Sequence, residues 1–120
     1  MNLQLSLKKK WFEMTKAGIK TEDYREINKH WIQRLVQPIF NRDTWRDEQG
    51  VISHIIEHRD HFSKNRMKYF STNKMTLGYP KSTDTEKILE FKHAGIEIRE
   101  GNPEWGAEPG KLYFVIKHGN

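Results

Sequence analysis

The chain has 120 residues, 35% of them apolar and 31% charged, and a formal net charge of +5. That length fits one domain with a modest core, and the polarity leaves room for a long solvated surface or an insertion. Cysteine is absent, which excludes disulfides, thiolate nucleophiles and zinc–thiolate sites. No apolar run is long enough for a signal peptide or a bilayer span, so a cytoplasmic location is expected. The basic balance suits a phosphate-bearing partner, because neutralised phosphates release counterions.

The first element is a short strand over Asn2 to Ser6, where Leu3 and Leu5 alternate with Gln4 and Ser6. "KKKWFEMTKAG" follows with Trp11, Met14 and Thr15 on one helical face, and Gly18 sits where a helix C-terminal glycine belongs. "TEDYREI" reads as a strand, with Thr21, Asp23 and Arg25 on one face and Glu22, Tyr24 and Glu26 on the other. Alternation turns Tyr24 toward the core. From Asn28 to about Lys68 the pattern is helical and irregular. "NKHWIQRLVQPIF" ends or kinks at Pro38, and "DEQGVISHIIEHRDHF" reads as one further helix.

Strand signals return with Lys68 to Phe70, and Leu77-Gly-Tyr-Pro marks a strand end and turn. "EKILEFKHAGIEI" alternates, and Gly95 marks a bulge or a tight crossing within it. "GNPEWGAEPG" is a loop by composition, and "KLYFVIKHG" is a last strand. Five or six short strands with few, local helices favour an α+β fold built on a small closed or partly closed barrel with flanking helices. Such a barrel fills its interior with side chains, so a ligand binds at its rim or in a cleft against a helix.

Four constellations carry possible chemistry. In "GIKTEDYR", Asp23 would hold Lys20 charged, which suits binding of an anion or carbonyl better than proton abstraction. Arg25 offers a planar fork for phosphate or carboxylate, and the plain alternative is a structural ion pair. In "PEWG", Trp105 stacks on a nucleobase or plugs one end of the barrel. In "HIIEHRDH", His54, His58 and His61 share a helical face at zinc-ligand spacing, but a solvated face is the better reading and no metal is assigned. Lys8, Lys9 and Lys10 put positive charge at a helix start, where the dipole does not favour it, and form a track for phosphates.

"LSLKKKWFEMTKAGIKTEDYR" and "GNPEWGAEPGKLYFVIKHG" resemble the opening and the closing strand of ASCH domains of the PUA-like superfold, of the kind met in phages and prophages. The signature positions of that family read here as Gly18, Lys20, Asp23 and Arg25. The resemblance spans roughly residues 2–31 and 69–119, with residues 32–66 as a helical insertion in a single domain. It implies a PUA-like barrel with a cleft for RNA or a modified nucleoside and no cofactor. In the branch that deacetylates 4-acetylcytidine, the signature lysine works with a threonine three residues on and a separate glutamate. Here Lys20 matches the lysine, Asp23 stands in the threonine position with Thr21 beside it, and Glu90 and Glu104 are the candidates for the glutamate.

The leading expectation is therefore RNA or nucleoside binding through Lys20, Thr21, Asp23, Arg25 and Trp105, with Lys8 to Lys10 extending the phosphate track. The second is an amidohydrolase or ribonuclease, with Lys20 as base or nucleophile and Asp23 or Glu104 assisting. Hydrolysis demands a carboxylate or hydroxyl within hydrogen-bond reach of Lys20. A third is a phage accessory protein that binds a host protein through the insertion, which demands an exposed apolar patch around Ile52, Ile55 and Ile56.

Overall fold

A computed structural model describes residues 1–120. The chain forms two compact units: residues 1–23, 69–95 and 116–120 make the first, and residues 24–68 and 96–115 the second. The elements run β1 (Asn2–Leu7), α1 (Lys9–Lys16), β2 (Glu22–Arg25), α2 (Lys29–Leu35), α3 (Glu48–Glu57), α4 (Arg59–Asn65), β3 (Thr72–Leu77), β4 (Ile88–Glu100) and β5 (Leu112–His118). The architecture is α+β, with five strands in the hydrogen-bonded order β1-β3-β4-β5-β2. β1 lies parallel to β3, with Leu5 opposite Met75, and β3 lies antiparallel to β4, with Asn73 opposite Phe91.

In the first unit, α1 buries Phe12 and Thr15, and β1 buries Leu3, Leu5 and Leu7. The alternation read from residues 2–6 is the burial pattern of that strand. Gly18 takes a φ of 76° just past the end of α1. Its N–H reaches the Thr15 carbonyl, and the Ile19 N–H reaches the Met14 carbonyl, the paired bonds of a Schellman motif. Glycine meets the positive φ without steric cost.

In the second unit, α2 starts at Asn28, whose side chain accepts from the Trp31 N–H at 3.0 Å. The helix ends at Leu35, ahead of Pro38, as a following proline dictates. α2 buries Ile32 and Leu35, α3 buries Val51 and Ile55, and α4 buries Phe62. Ala107 of the loop before β5, with Tyr113 and Val115 of β5, completes this interior, and Tyr24 packs against them.

Three expectations change. The third strand covers Thr72–Leu77, not Lys68 to Phe70. The earlier segment is held elsewhere: the Lys68 N–H bonds the Leu35 carbonyl at 2.8 Å, and Met67 bridges Val36. The stretch "DEQGVISHIIEHRDHF" is two helices, because His58 leaves helical geometry at φ −108° and ψ 32°. The alternation of β4 also changes phase. Before Gly95, Glu90, Lys92 and Ala94 are exposed; after it, the even-numbered Ile96 and Ile98 are buried. Gly95 has a φ of 109°, the backbone turn that re-aims the strand's inner face.

Candidate functional site

The buried polar residues are Thr15, Lys20, Asp23, Asn73 and Thr76, and every one belongs to the first unit. Two of them are satisfied locally. The Thr15 hydroxyl donates to the Trp11 carbonyl at 2.8 Å, and the Thr76 hydroxyl donates to the Gly78 carbonyl at 2.8 Å. The other three form a continuous chain with two histidines.

The chain begins at Lys20. The Gly18 turn ties the Lys20 N–H to the Met14 carbonyl at 3.1 Å, which anchors the residue to the end of α1. Its ammonium donates to Asp23 Oδ1 and, at 2.7 Å, to the Glu22 carbonyl. Nζ stands 6.0 Å from the ring centroid of the half-buried Trp11. The Thr21 carbonyl accepts from the His118 N–H at 3.0 Å, which docks the start of β2 beside the end of β5. That contact brings His118 Nε2 to 2.7 Å from Asp23 Oδ2. Side-chain exposures are 2% for Lys20, 5% for Asp23 and 3% for His118.

Asn73 of β3, with 0% exposure, continues the chain. Its Nδ2 lies 2.8 Å from His118 Nδ1 and donates to the Lys117 carbonyl at 3.0 Å. Its Oδ1 lies 2.7 Å from His93 Nδ1. The ring of His93 packs edge-on to Phe70 at 5.4 Å, and that of His118 lies 6.1 Å from Phe91. Lys20, Asp23, His118, Asn73 and His93 are thus one hydrogen-bonded line.

The electrostatics favour an ionised Asp23. Burial alone raises its pKa, but the His118 hydrogen bond and the Lys20 charge outweigh it, and the net direction is downward. The pKa of His93 is also lowered, first by burial and then by electrostatic interaction with His118 and Lys117. A buried, paired lysine beside an ionised carboxylate is a donor to electron-rich atoms: a carbonyl, or the oxyanion that develops from one.

The structure brings together Lys20 and Asp23 and meets the demand for a carboxylate within reach of Lys20. Thr21 is next in the chain but exposed, and contributes its carbonyl. Lys8, Lys9 and Lys10 are exposed at the start of α1, with Lys10 Nζ 4.8 Å from the Trp11 ring centroid. Arg25, Glu104 and Trp105 belong to the second unit. There the Arg25 guanidinium stacks on Trp31 at 5.0 Å, and the Arg34 guanidinium approaches the same ring at 4.9 Å. Glu104 is exposed in a turn whose first residue, Asn102, accepts from the Glu104 N–H at 3.0 Å. Trp105 is half-buried, and Glu90 is exposed on β4.

His118, Asn73, His93 and Trp11 were not among the expected site residues. Their signal is alternation. Asn73 falls in phase with Met75 once the strand is placed at residues 72–77, and His118 falls in phase with Phe114 and Ile116. A polar side chain in an apolar series marks a buried partner.

Elsewhere the second unit carries surface features. Ile32, Val36, Pro38, Phe40 and Trp45 line an apolar cleft of about 190 Å³. The rings of His54 and His58 lie 4.6 Å apart, and no group of three or more His, Asp or Glu side chains is placed to hold a metal ion. The apolar patch expected on the insertion is inside: Ile55 has 0% exposure, and Ile52 and Ile56 are half-buried. No helix is long and apolar enough to cross a membrane. No protein-family model matches the chain, and neither a curated protein nor a solved structure matches it.

Proposed function

We propose that the Lys20–Asp23 pair is the site of an amidohydrolase acting on a small nucleoside amide, within an ASCH-type, PUA-like barrel. The observation that carries this reading is the burial of both charges in one hydrogen-bonded pair whose carboxylate is further held by His118. A buried ion pair contributes little to stability relative to apolar residues of the same size, so its retention argues for chemistry at Lys20.

In this reading the Lys20 ammonium donates to the amide carbonyl oxygen and stabilises the oxyanion formed as water adds to the carbonyl carbon. Asp23 keeps Lys20 charged. The C–N bond then breaks. The water's oxygen ends in the carboxylic acid, and its proton goes to the leaving amine. Trp11, beside Lys20, supplies the aromatic face for a base in place of Trp105. The substrate class rests on the resemblance of "GIKTEDYR" to the ASCH signature.

The test is a mass-spectrometric assay of the purified protein with 4-acetylcytidine, beside a Lys20→Met variant shown to be folded. Release of cytidine and acetate by the wild type alone is the expected result. No turnover by the folded wild type overturns the reading.

A second reading, single-stranded RNA binding, is favoured by aromatic–cation contacts in the second unit. Arg25 and Arg34 lie on Trp31, and Lys29 lies 5.5 Å from the Trp45 ring. These cations would give an affinity that falls as the salt concentration rises. A salt-independent affinity, or none, removes this reading.

A further inference from the structure

The hydrogen-bonded line does not stop at the pair assigned to chemistry. Asp23 Oδ2 is held by a histidine, the histidine by a fully buried asparagine, and the asparagine by a second histidine. His118 holds the carboxylate of that pair, and Asn73 and His93 extend the line behind it, beyond what the hydrolytic reading uses.

The asparagine decides the proton positions. Its Nδ2 must donate, because the Lys117 backbone carbonyl 3.0 Å away can only accept. The same nitrogen therefore donates its other proton to His118 Nδ1, 2.8 Å away. A ring nitrogen that accepts carries no proton, so the proton of His118 sits on Nε2 and is donated to Asp23 Oδ2. The opposite end agrees: Asn73 Oδ1 accepts, and His93 Nδ1 must then be the donor. Turning the amide over would face Oδ1 to the Lys117 carbonyl and lose the one bond whose partner cannot change its role. An amide does not pass protons along, so the line orients rather than conducts.

We propose that Asn73 and His118 are positioning residues of the Lys20–Asp23 site: Asn73 fixes His118 as the Nε2–H tautomer, and that N–H holds Asp23 in place against Lys20. The chemical consequence rests on the hydrolytic reading above; the tautomer does not. His93 is the outer anchor that keeps the Asn73 amide in its orientation. The arrangement has the order used wherever a carboxylate must stay ionised and aligned, with each group locked by the one behind it.

The experiment is long-range proton–nitrogen NMR of the full-length 15N-labelled protein near pH 7, with turnover of 4-acetylcytidine measured in parallel. The wild type is expected to show His118 with a bare Nδ1 and a protonated Nε2. A wild-type His118 protonated at Nδ1 overturns the proposal. In Asn73→Ala, the Nδ1–H form should appear, and the Asp23 titration midpoint should rise as its partner loosens. If that variant does not fold, Asn73→Ser, which keeps a hydroxyl donor, replaces it and should show a partial shift. An unchanged His118 tautomer in a folded variant overturns the role of Asn73. Where the wild type turns over substrate, Asn73→Ala should lower kcat and leave KM nearly unchanged, and the larger fall in kcat on His118→Ala should be partly recovered in His118→Gln, whose amide can donate to Asp23. Absent turnover with the expected tautomer removes the hydrolytic reading and leaves the positioning assignment standing.

Discussion

The two units of this chain are built from different interiors. The first buries a lysine, an aspartate, an asparagine and two threonines among its apolar side chains. The buried residues of the second are all apolar or aromatic: Ile32, Leu35, Val51, Ile55, Phe62, Phe114 and their neighbours. The second is the interior that the hydrophobic effect makes by itself, non-directional and tolerant of exchange between similar shapes. The first holds polar groups in fixed directions, and that direction is what a reactive site needs. In the second unit Lys29 and Arg34 are exposed and Arg25 is half-buried, and all three lie over tryptophan rings.

The largest effect should come from breaking the polar interior one partner at a time. Asp23→Ala leaves the Lys20 ammonium buried without its counter-ion, and the expected loss is about 3–5 kcal/mol in urea unfolding. A loss under roughly 1 kcal/mol would mean that Lys20 escapes to solvent and that the pair is loosely held. In the apolar interior, Ile55→Ala should cost about 2–5 kcal/mol through lost transfer energy and a cavity. It should leave turnover per folded molecule unchanged, and a fall in that turnover would tie the second interior to the site.

Acid should distinguish the units next. Both lowered pKa values act in one direction, because a group with a depressed folded pKa binds more protons when unfolded. The His93 contribution is present above its ordinary 6.5 and is lost as the pH falls from there through the folded value. The Asp23 contribution is present above its ordinary 3.8 and is lost as the pH falls below that. Melting temperature should therefore decline on acidification from neutral pH, and Asp23→Asn should flatten the lower part of the curve. A protein that gains stability between pH 6.5 and 4 would contradict the arrangement. The smallest effect belongs to the edge of the second unit: Asn28→Ala removes the cap of α2 and should cost about 0.5–2 kcal/mol, read as a shift in urea midpoint without a change in slope.

What could be read from the sequence follows the same division. Alternation in "NLQLS" and the glycine after "MTKA" located β1 and the end of α1, because strand period and positive φ are local properties. Lys20 and Asp23 are three residues apart, so their pairing was within reach of local reasoning. His118 is 95 residues from Asp23, and Asn73 is 45 from His118. Their meeting depends on β5 docking beside β2 and on β3 lying at residues 72–77, and no local pattern carries those pairings. The misplaced third strand had the same origin. "MKYF" has strand-like side chains, but its backbone groups are used by the end of α2, a tertiary choice that overrides propensity.

The most direct test of the contrast between the two interiors replaces the charged end of the polar line, leaving Asn73 with the Lys117 carbonyl and His93. Lys20→Met, Asp23→Leu and His118→Phe, combined in one variant, remove both charges and the imidazole and keep the volume roughly constant. Its unfolding free energy, measured in urea against the wild type, is the deciding number. If the polar interior is kept for function, the triple variant should be as stable as the wild type or more stable by about 1–4 kcal/mol. A loss of several kcal/mol would show instead that the Lys20–Asp23–His118 line is what holds the first unit together.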